Sequence, residues 1–149
     1  MRTLENALRR VGFIHVAGVD EVGRGCLAGP VVAGAVVLHP ERHIPGVCDS
    51  KLVPSAERER LYDRICADAV AWAVAAANPD EIDRINIHQA SLRAMQRAVL
   101  ALCPLPDIVL VDAFRVPGLP WPNAACRTAT GGVRRLRPLR SSRRSRATA

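Results

Sequence analysis

The sequence predicts a mixed α/β sheet flanked by helices, and three features carry that reading. Apolar runs at 14–19 and 31–38 are separated by a turn that closes on Gly29-Pro30, the pattern of a strand pair. Across 87–102, Leu92, Met95, Val99 and Leu102 recur at three- and four-residue intervals, which makes the stripe of an amphipathic helix lying on a sheet. Ile108-Val109-Leu110-Val111 follows Pro104 and Pro106. The prolines stop the helix, and the short continuous apolar run suits a buried strand that delivers Asp112 at its carboxyl end.

The remaining elements fall between these. Residues 49–54 form a polar turn, and Ser55 stands as a cap ahead of Ala56-Glu57-Arg58-Glu59-Arg60-Leu61. Glu57 and Glu59 then lie near the positive end of the helix dipole, with Leu61, Ile65 and Tyr62 directed at the core. The run 69–77, with Val70, Trp72 and Val74, reads as a buried strand bounded by Asn78-Pro79. Asn78 as cap, Pro79 at the first helical position, and Asp80 and Glu81 behind it make a well-formed start for a brief helix that gives way near Asn86. The order strand, strand, helix, strand, helix, helix, strand implies a mixed sheet, in which ligands collect outside the carboxyl ends of strands.

With 149 residues, 49% hydrophobic and 23% charged, the chain has room for one domain with a real core. No apolar run approaches the roughly 18 residues that span a bilayer, and the arginines of residues 1–10 have no apolar stretch behind them. The expectation is a cytoplasmic monomer with no membrane partner. Five cysteines (Cys26, Cys48, Cys66, Cys103, Cys126) form no CxxC pair and are odd in number, which argues against a disulfide framework and against a zinc site. His15, His39, His43 and His88 show no spacing that nominates a partner for a catalytic thiol, so cysteines and histidines alike are read as structural or incidental. The net charge of +7 is unevenly placed. Residues 1–126 hold 13 basic residues against 14 acids, whereas residues 127–149 hold eight arginines and no acid. The basicity belongs to that last segment, which reads as a disordered tail.

Chemistry concentrates at Gly18-Val19-Asp20-Glu21-Val22-Gly23-Arg24-Gly25. Adjacent carboxylates suit a divalent metal, and a Gly-Arg-Gly turn suits a phosphodiester. Strand side chains alternate faces, so Asp20 and Glu21 cannot both address one ion from a regular strand. The strand is expected to end or bulge there, with Gly23 and Gly25 supplying backbone freedom. The other reading of the acids is a strand end with solvated carboxylates, and that of Asp112 is a polar residue opening the turn before Pro117.

The wording of the segment adds to this. Asp20-Glu21-Val22-Gly23-Arg24-Gly25-Cys26-Leu27-Ala28-Gly29-Pro30-Val31-Val32 closely resembles the opening signature of the type 2 ribonucleases H, the ribonuclease HII family. Similar blocks follow in order: Asp49-Ser50-Lys51-Leu52, then Ile85-Asn86-Ile87 with Ala90 and Met95, then Val109-Leu110-Val111-Asp112 with Pro117-Gly118-Leu119-Pro120. The resemblance covers roughly residues 12–127. It implies a ribonuclease H-like fold and a metal-dependent endoribonuclease acting on the RNA strand of RNA:DNA hybrids and on ribonucleotide-containing duplex DNA. Cleavage would fall 5′ of single ribonucleotides and leave a 3′-hydroxyl and a 5′-phosphate. Asp20, Glu21 and Asp112 would be three of four acidic ligands to Mn2+ or Mg2+. Gly23, Arg24 and Gly25 would read the ribose 2′-hydroxyl, and Ser50 and Lys51 would lie near the substrate backbone.

The chain departs from that pattern near its end. The family carries a Gly-Asp dipeptide after a short strand and then a small-residue helix that completes the site. Here the position reads Thr130-Gly131-Gly132-Val133, and no acid follows Asp112. The expectation is therefore an incomplete catalytic domain at 1–126, marginally stable and impaired in activity, ahead of the tail at 127–149. A reading-frame shift near residues 128–132 is a hypothesis that sequencing the DNA tests. If no alternative frame restores a Gly-Asp and an Ala-rich helix, it fails. The alternative functional reading is a non-catalytic nucleic-acid-binding remnant held by its arginine tail.

Overall fold

The computed structural model describes residues 2–25, 28–42, 44, 54–112 and 115–126. In chain order these form α1 (Arg2–Arg10), β1 (Val16–Val22), β2 (Val31–Val37), α2 (Ser55–Asp68), β3 (Ala71–Ala77), α3 (Pro79–Ile85), α4 (Ile87–Leu100), β4 (Ile108–Asp112) and β5 (Asn123–Cys126). The five strands make one sheet in the order β3-β2-β1-β4-β5. The first three are antiparallel, and β4 and β5 run parallel to β1. The expected mixed sheet is present, with α1 and β5 added to the predicted order. The tail expected at 127–149 lies outside the described residues.

One face of the sheet is closed by α4. Ala17 and Val19 of β1, Ala33, Ala35 and Val37 of β2, and Val109 and Val111 of β4 are buried against Ala90, Ala94, Met95, Ala98 and Val99. The alanines at 90, 94 and 98 share one helix face at four-residue spacing and let the backbone sit close to the sheet. Met95 fills the space between, 1% exposed, a burial worth roughly 1.5–3 kcal/mol. Asn86 starts this helix: its φ of 73° turns the chain out of α3, and its side-chain oxygen accepts from the Gln89 amide at 3.0 Å. Ser91 is buried, and its hydroxyl donates to the Ile87 carbonyl at 2.8 Å, so it leaves no unmet donor in the core.

The opposite face is covered only in part. Val16, Ile108 and Leu110 pack against Leu4 and Leu8 of α1, Phe13 and Ala124 of β5. Asp107 fixes the entry of β1 beside β4: its Oδ2 accepts from the amides of Ile14 at 2.9 Å and His15 at 2.8 Å, and its own amide donates to the His15 carbonyl at 2.8 Å. That clamp sets the register Val16↔Ile108 from which the rest of the pairing follows.

Four expectations are corrected. The 69–77 strand is an edge strand: Ala71, Ala73, Ala75 and Ala77 face the core cluster, whereas Trp72 and Val74 stand 45% and 53% exposed. An edge strand covered on one face alternates. Helix α2 buries no residue, and Tyr62 lies outside, meeting Trp72 edge-on at 6.3 Å. Ser55 is the first helical residue, with Pro54 in the cap position. Asn78 does occupy the cap of α3, but its side chain makes no capping bond.

Candidate active site

β1 runs without interruption through both carboxylates. Asp20 pairs with Gly34, Glu21 with Ala33 and Val22 with Val32, so the expected strand end or bulge is absent. The ladder to β2 carries the strand past its apolar run. Alternation then separates the two acids. Glu21 follows Ala17 and Val19 toward α4, and Asp20 follows Val16 toward the other face.

The parallel pairing to β4 supplies Asp20 with a neighbour. Its register runs from Val16↔Ile108 to Val19↔Val111, and one further step sets Asp20 level with Asp112 at the end of β4. Both acids stand at the carboxyl rim of parallel strands about 4.8 Å apart. On the other side of Asp20 sits Gly34, where an added Cβ would meet nothing within 4 Å. Gly34 and the exposed Asp20 are therefore open on that face of the sheet. Asp20 Oδ1 accepts from the Glu21 amide at 2.8 Å, which fixes its rotamer.

Glu21 is held on the α4 side. Its side chain is 11% exposed, and its Oε1 accepts from Arg24 Nη1 at 2.9 Å. Arg24 Nη2 in turn lies 3.4 Å from His88 Nδ1 in the first turn of α4. Gly23 makes this turn possible: at φ 97°, a Cβ would sit 2.5 Å from the Pro30 carbonyl oxygen, and only glycine fits there. Gly25 is under neither constraint and leaves open space, which suits close approach of a ligand to the backbone.

Of the predicted site residues, the structure brings Asp20 level with Asp112 and groups Glu21 with Arg24, beside Gly23 and Gly25. Ser50 and Lys51 lie outside the described residues. Among the described residues, no three His, Cys, Asp or Glu side chains form a group that could hold a metal ion. Two hard oxygen donors on one open rim fit a divalent cation, and the third stands on the far side under the control of Arg24. His88 was missed in the sequence because its meeting with Arg24 spans 64 residues. Its place just after the Asn86 cap, at a helix start behind the strand ends, is the only signal that could have found it.

A profile of the family described as Ribonuclease HII matches residues 17–130. The chain belongs to the ribonuclease HII family. It is 61% identical over 103 residues to the ribonuclease HII of Nitrosococcus oceani, covering 69% of this chain and 51% of that protein. The structure of the ribonuclease H2 from Pyrococcus horikoshii OT3 superposes with a TM-score of 0.65 at 28% identity, over 77% of this chain and 63% of that one. The structure of Bst-RNase HIII in complex with Mn2+ gives a TM-score of 0.53 at 25% identity, over 73% of this chain and 40% of that one. The sheet is thus ribonuclease H-like. The chain spans about half the length of the curated relatives it matches. Among the described residues, no helix is long and apolar enough to cross a membrane.

Proposed function

We propose that the rim formed by Asp20, Glu21 and Asp112 is the centre of a metal-dependent endoribonuclease that hydrolyses the RNA strand of RNA:DNA hybrids and cuts 5′ of single ribonucleotides in duplex DNA. The observation that supports this reading is the β1–β4 register, paired as far as Val19↔Val111, after which Asp20 and Asp112 are the next residues of neighbouring parallel strands, Asp20 three residues before Gly23-Arg24-Gly25. Asp20 and Asp112 would hold Mn2+ or Mg2+, and Glu21 would join them as third donor only by leaving Arg24 and coming round from the α4 side of the strand. A bound ion of this kind lowers the pKa of water and neutralises charge on the leaving oxygen.

The chain's own groups do the positioning. Arg24 holds Glu21 in place on the α4 side, and its guanidinium would also reach a phosphate of the substrate. The open backbone at Gly25 allows contact with a ribose 2′-hydroxyl, the group that separates RNA from DNA. No acid follows Asp112 in the sequence, so we expect cleavage weaker than four carboxylates would support, since misplacing the attacking group by about 1 Å costs on the order of 100-fold. The protein would act as a cytoplasmic monomer. The arginine-rich residues 127–149 favour a second reading, in which the chain binds duplexes through phosphates without cutting them. Such binding falls steeply with salt and ignores ribose.

The test is incubation of the purified chain, beside an Asp20→Asn control, with Mn2+ or Mg2+ and a labelled DNA duplex carrying one ribonucleotide. Cleavage 5′ of the ribonucleotide that the control loses supports the first reading. A folded chain that binds the duplex and leaves it intact supports the second.

A further inference from the structure

A second charged feature lies on the same rim, away from the carboxylates. Between α3 and α4 is a cleft of about 350 Å³, lined by Asn78, Asp80, Glu81, Arg84, Arg93 and Arg97. Its three arginines are differently employed. Arg97 is committed to the fold: Nη1 and Nη2 donate to Glu81 Oε2 and Oε1 at 2.9 and 2.6 Å, and Nη1 also reaches the Ala76 carbonyl at 3.1 Å. This pair neutralises Glu81. Arg84 spends only Nε, on the Asp80 carbonyl at 3.1 Å. Arg93 approaches only Glu81, at 3.8 Å, beyond hydrogen-bonding distance, and is 56% exposed. Among the described residues, the terminal nitrogens of Arg84 and Arg93 therefore have no hydrogen-bonded partner, and two guanidinium forks face one cleft.

The topology fixes where this cleft lies. β3 ends at Ala77 opposite Val31, and Val32 lies opposite Val22 just beyond the carboxylates. The end of β3 and the start of α3 are thus on the same rim as Asp20, two strand spacings away. The cleft itself opens between α3 and α4, on the side of that rim that Glu21 takes and across the sheet edge from Asp20. Guanidinium forks match phosphate oxygens in a way that a lone ammonium does not.

We propose that Arg84 and Arg93 together grip one phosphodiester of the bound duplex, on the β3 side of the carboxylate rim. This rests on the reading of the substrate as a nucleic acid. The contact anchors the duplex along the β3 side of the site and carries no information about sugar or sequence.

The test compares the full chain with its Arg84→Gln/Arg93→Gln variant, so that residues 127–149 contribute equally to both. Binding is followed by fluorescence anisotropy in EDTA across a salt series, on a duplex with one ribonucleotide and on an all-DNA duplex of the same sequence. The variant should bind both duplexes about tenfold more weakly at low salt, and its slope of log affinity against log salt should be shallower by about 0.9, the value for one phosphate. Unchanged affinity and slope would overturn the proposal. If the double variant lacks the wild-type thermal transition, each single substitution read in the same way decides the matter. A shallower slope in the variant, with a wild type that neither prefers nor cuts the ribonucleotide duplex, would refute the endonuclease reading and keep this contact. One that binds neither duplex would end both.

Discussion

The two faces of the antiparallel part of the sheet are written by alternate residues of the same three strands. Toward α4, β2 presents Ala33, Ala35 and Val37, all buried; toward the other face it presents Val32, Gly34 and Val36, none of them buried. In β1 both faces are buried from Val16 to Val19, and the other face opens only at Asp20. The packed face contributes the stability, and its small side chains leave no room for solvent or substrate. On the other face, the row of Val74, Gly34 and Asp20 is open. There Asp20 can meet an ion without first displacing core.

The contrast is most easily broken by substituting one residue on each face. Met95→Ala empties a site in the packed face and should cost about 2–5 kcal/mol. Val74→Thr, on the open face, should stay within about 0.5 kcal/mol. Urea unfolding of both variants checks this, and equal losses would mean that the open face is also packed. A smaller effect is expected at the turn that leads from β1 into the site. Gly23→Ala places a Cβ against the Pro30 carbonyl at positive φ and should cost about 1–3 kcal/mol, read as a lower thermal midpoint.

The smallest effect is the one that pH reveals. The hydrogen bonds from Arg97 hold the Glu81 carboxyl below its ordinary 4.5, with the charges of Arg97, Arg93 and Arg84 adding to it. A lowered folded pKa means that the contribution is complete above the unfolded value and is lost as pH falls through the folded one. Glu81→Gln should therefore cost on the order of 0.5 kcal/mol at pH 7, after screening at a half-exposed pair. The gap between wild type and variant should begin to close below about pH 4.5 and narrow steadily as acid protonates the folded carboxylate. A gap that does not narrow at all on acidification would show that the pair acts through packing and not through charge.

The sequence was most legible where one physical signal dominates. The four-residue stripe of Leu92, Met95 and Val99 marks α4 because a helix on a sheet must bury one face. The run ending in Asp112 marks β4 because nothing else buries four apolar residues in a row between prolines and a turn. Signals failed where a through-space partner decides. β1 continues through Asp20 and Glu21 because β2 pairs with it, which no apolar pattern records. Helix α1 carries only Leu4 and Leu8, four residues apart, and β5 only Ala124 as a packed residue, too little to detect without the surface they cover. At the site, the resemblance named Asp20, Glu21 and Asp112. The face each acid takes, and the meeting of Arg24 with His88, emerged only once the strands had a register.

The central claim is that Asp20 and Asp112, level at neighbouring strand ends, form one cation site. Calorimetric titration of Mn2+ into wild type, Asp20→Asn, Asp112→Asn and the double variant tests it most directly. Wild type should bind saturably, each single variant should lose about tenfold or more, and the double variant should be little worse than either, because the two side chains share one ligand. Wild-type affinity in both single variants, with the folds intact, would contradict it.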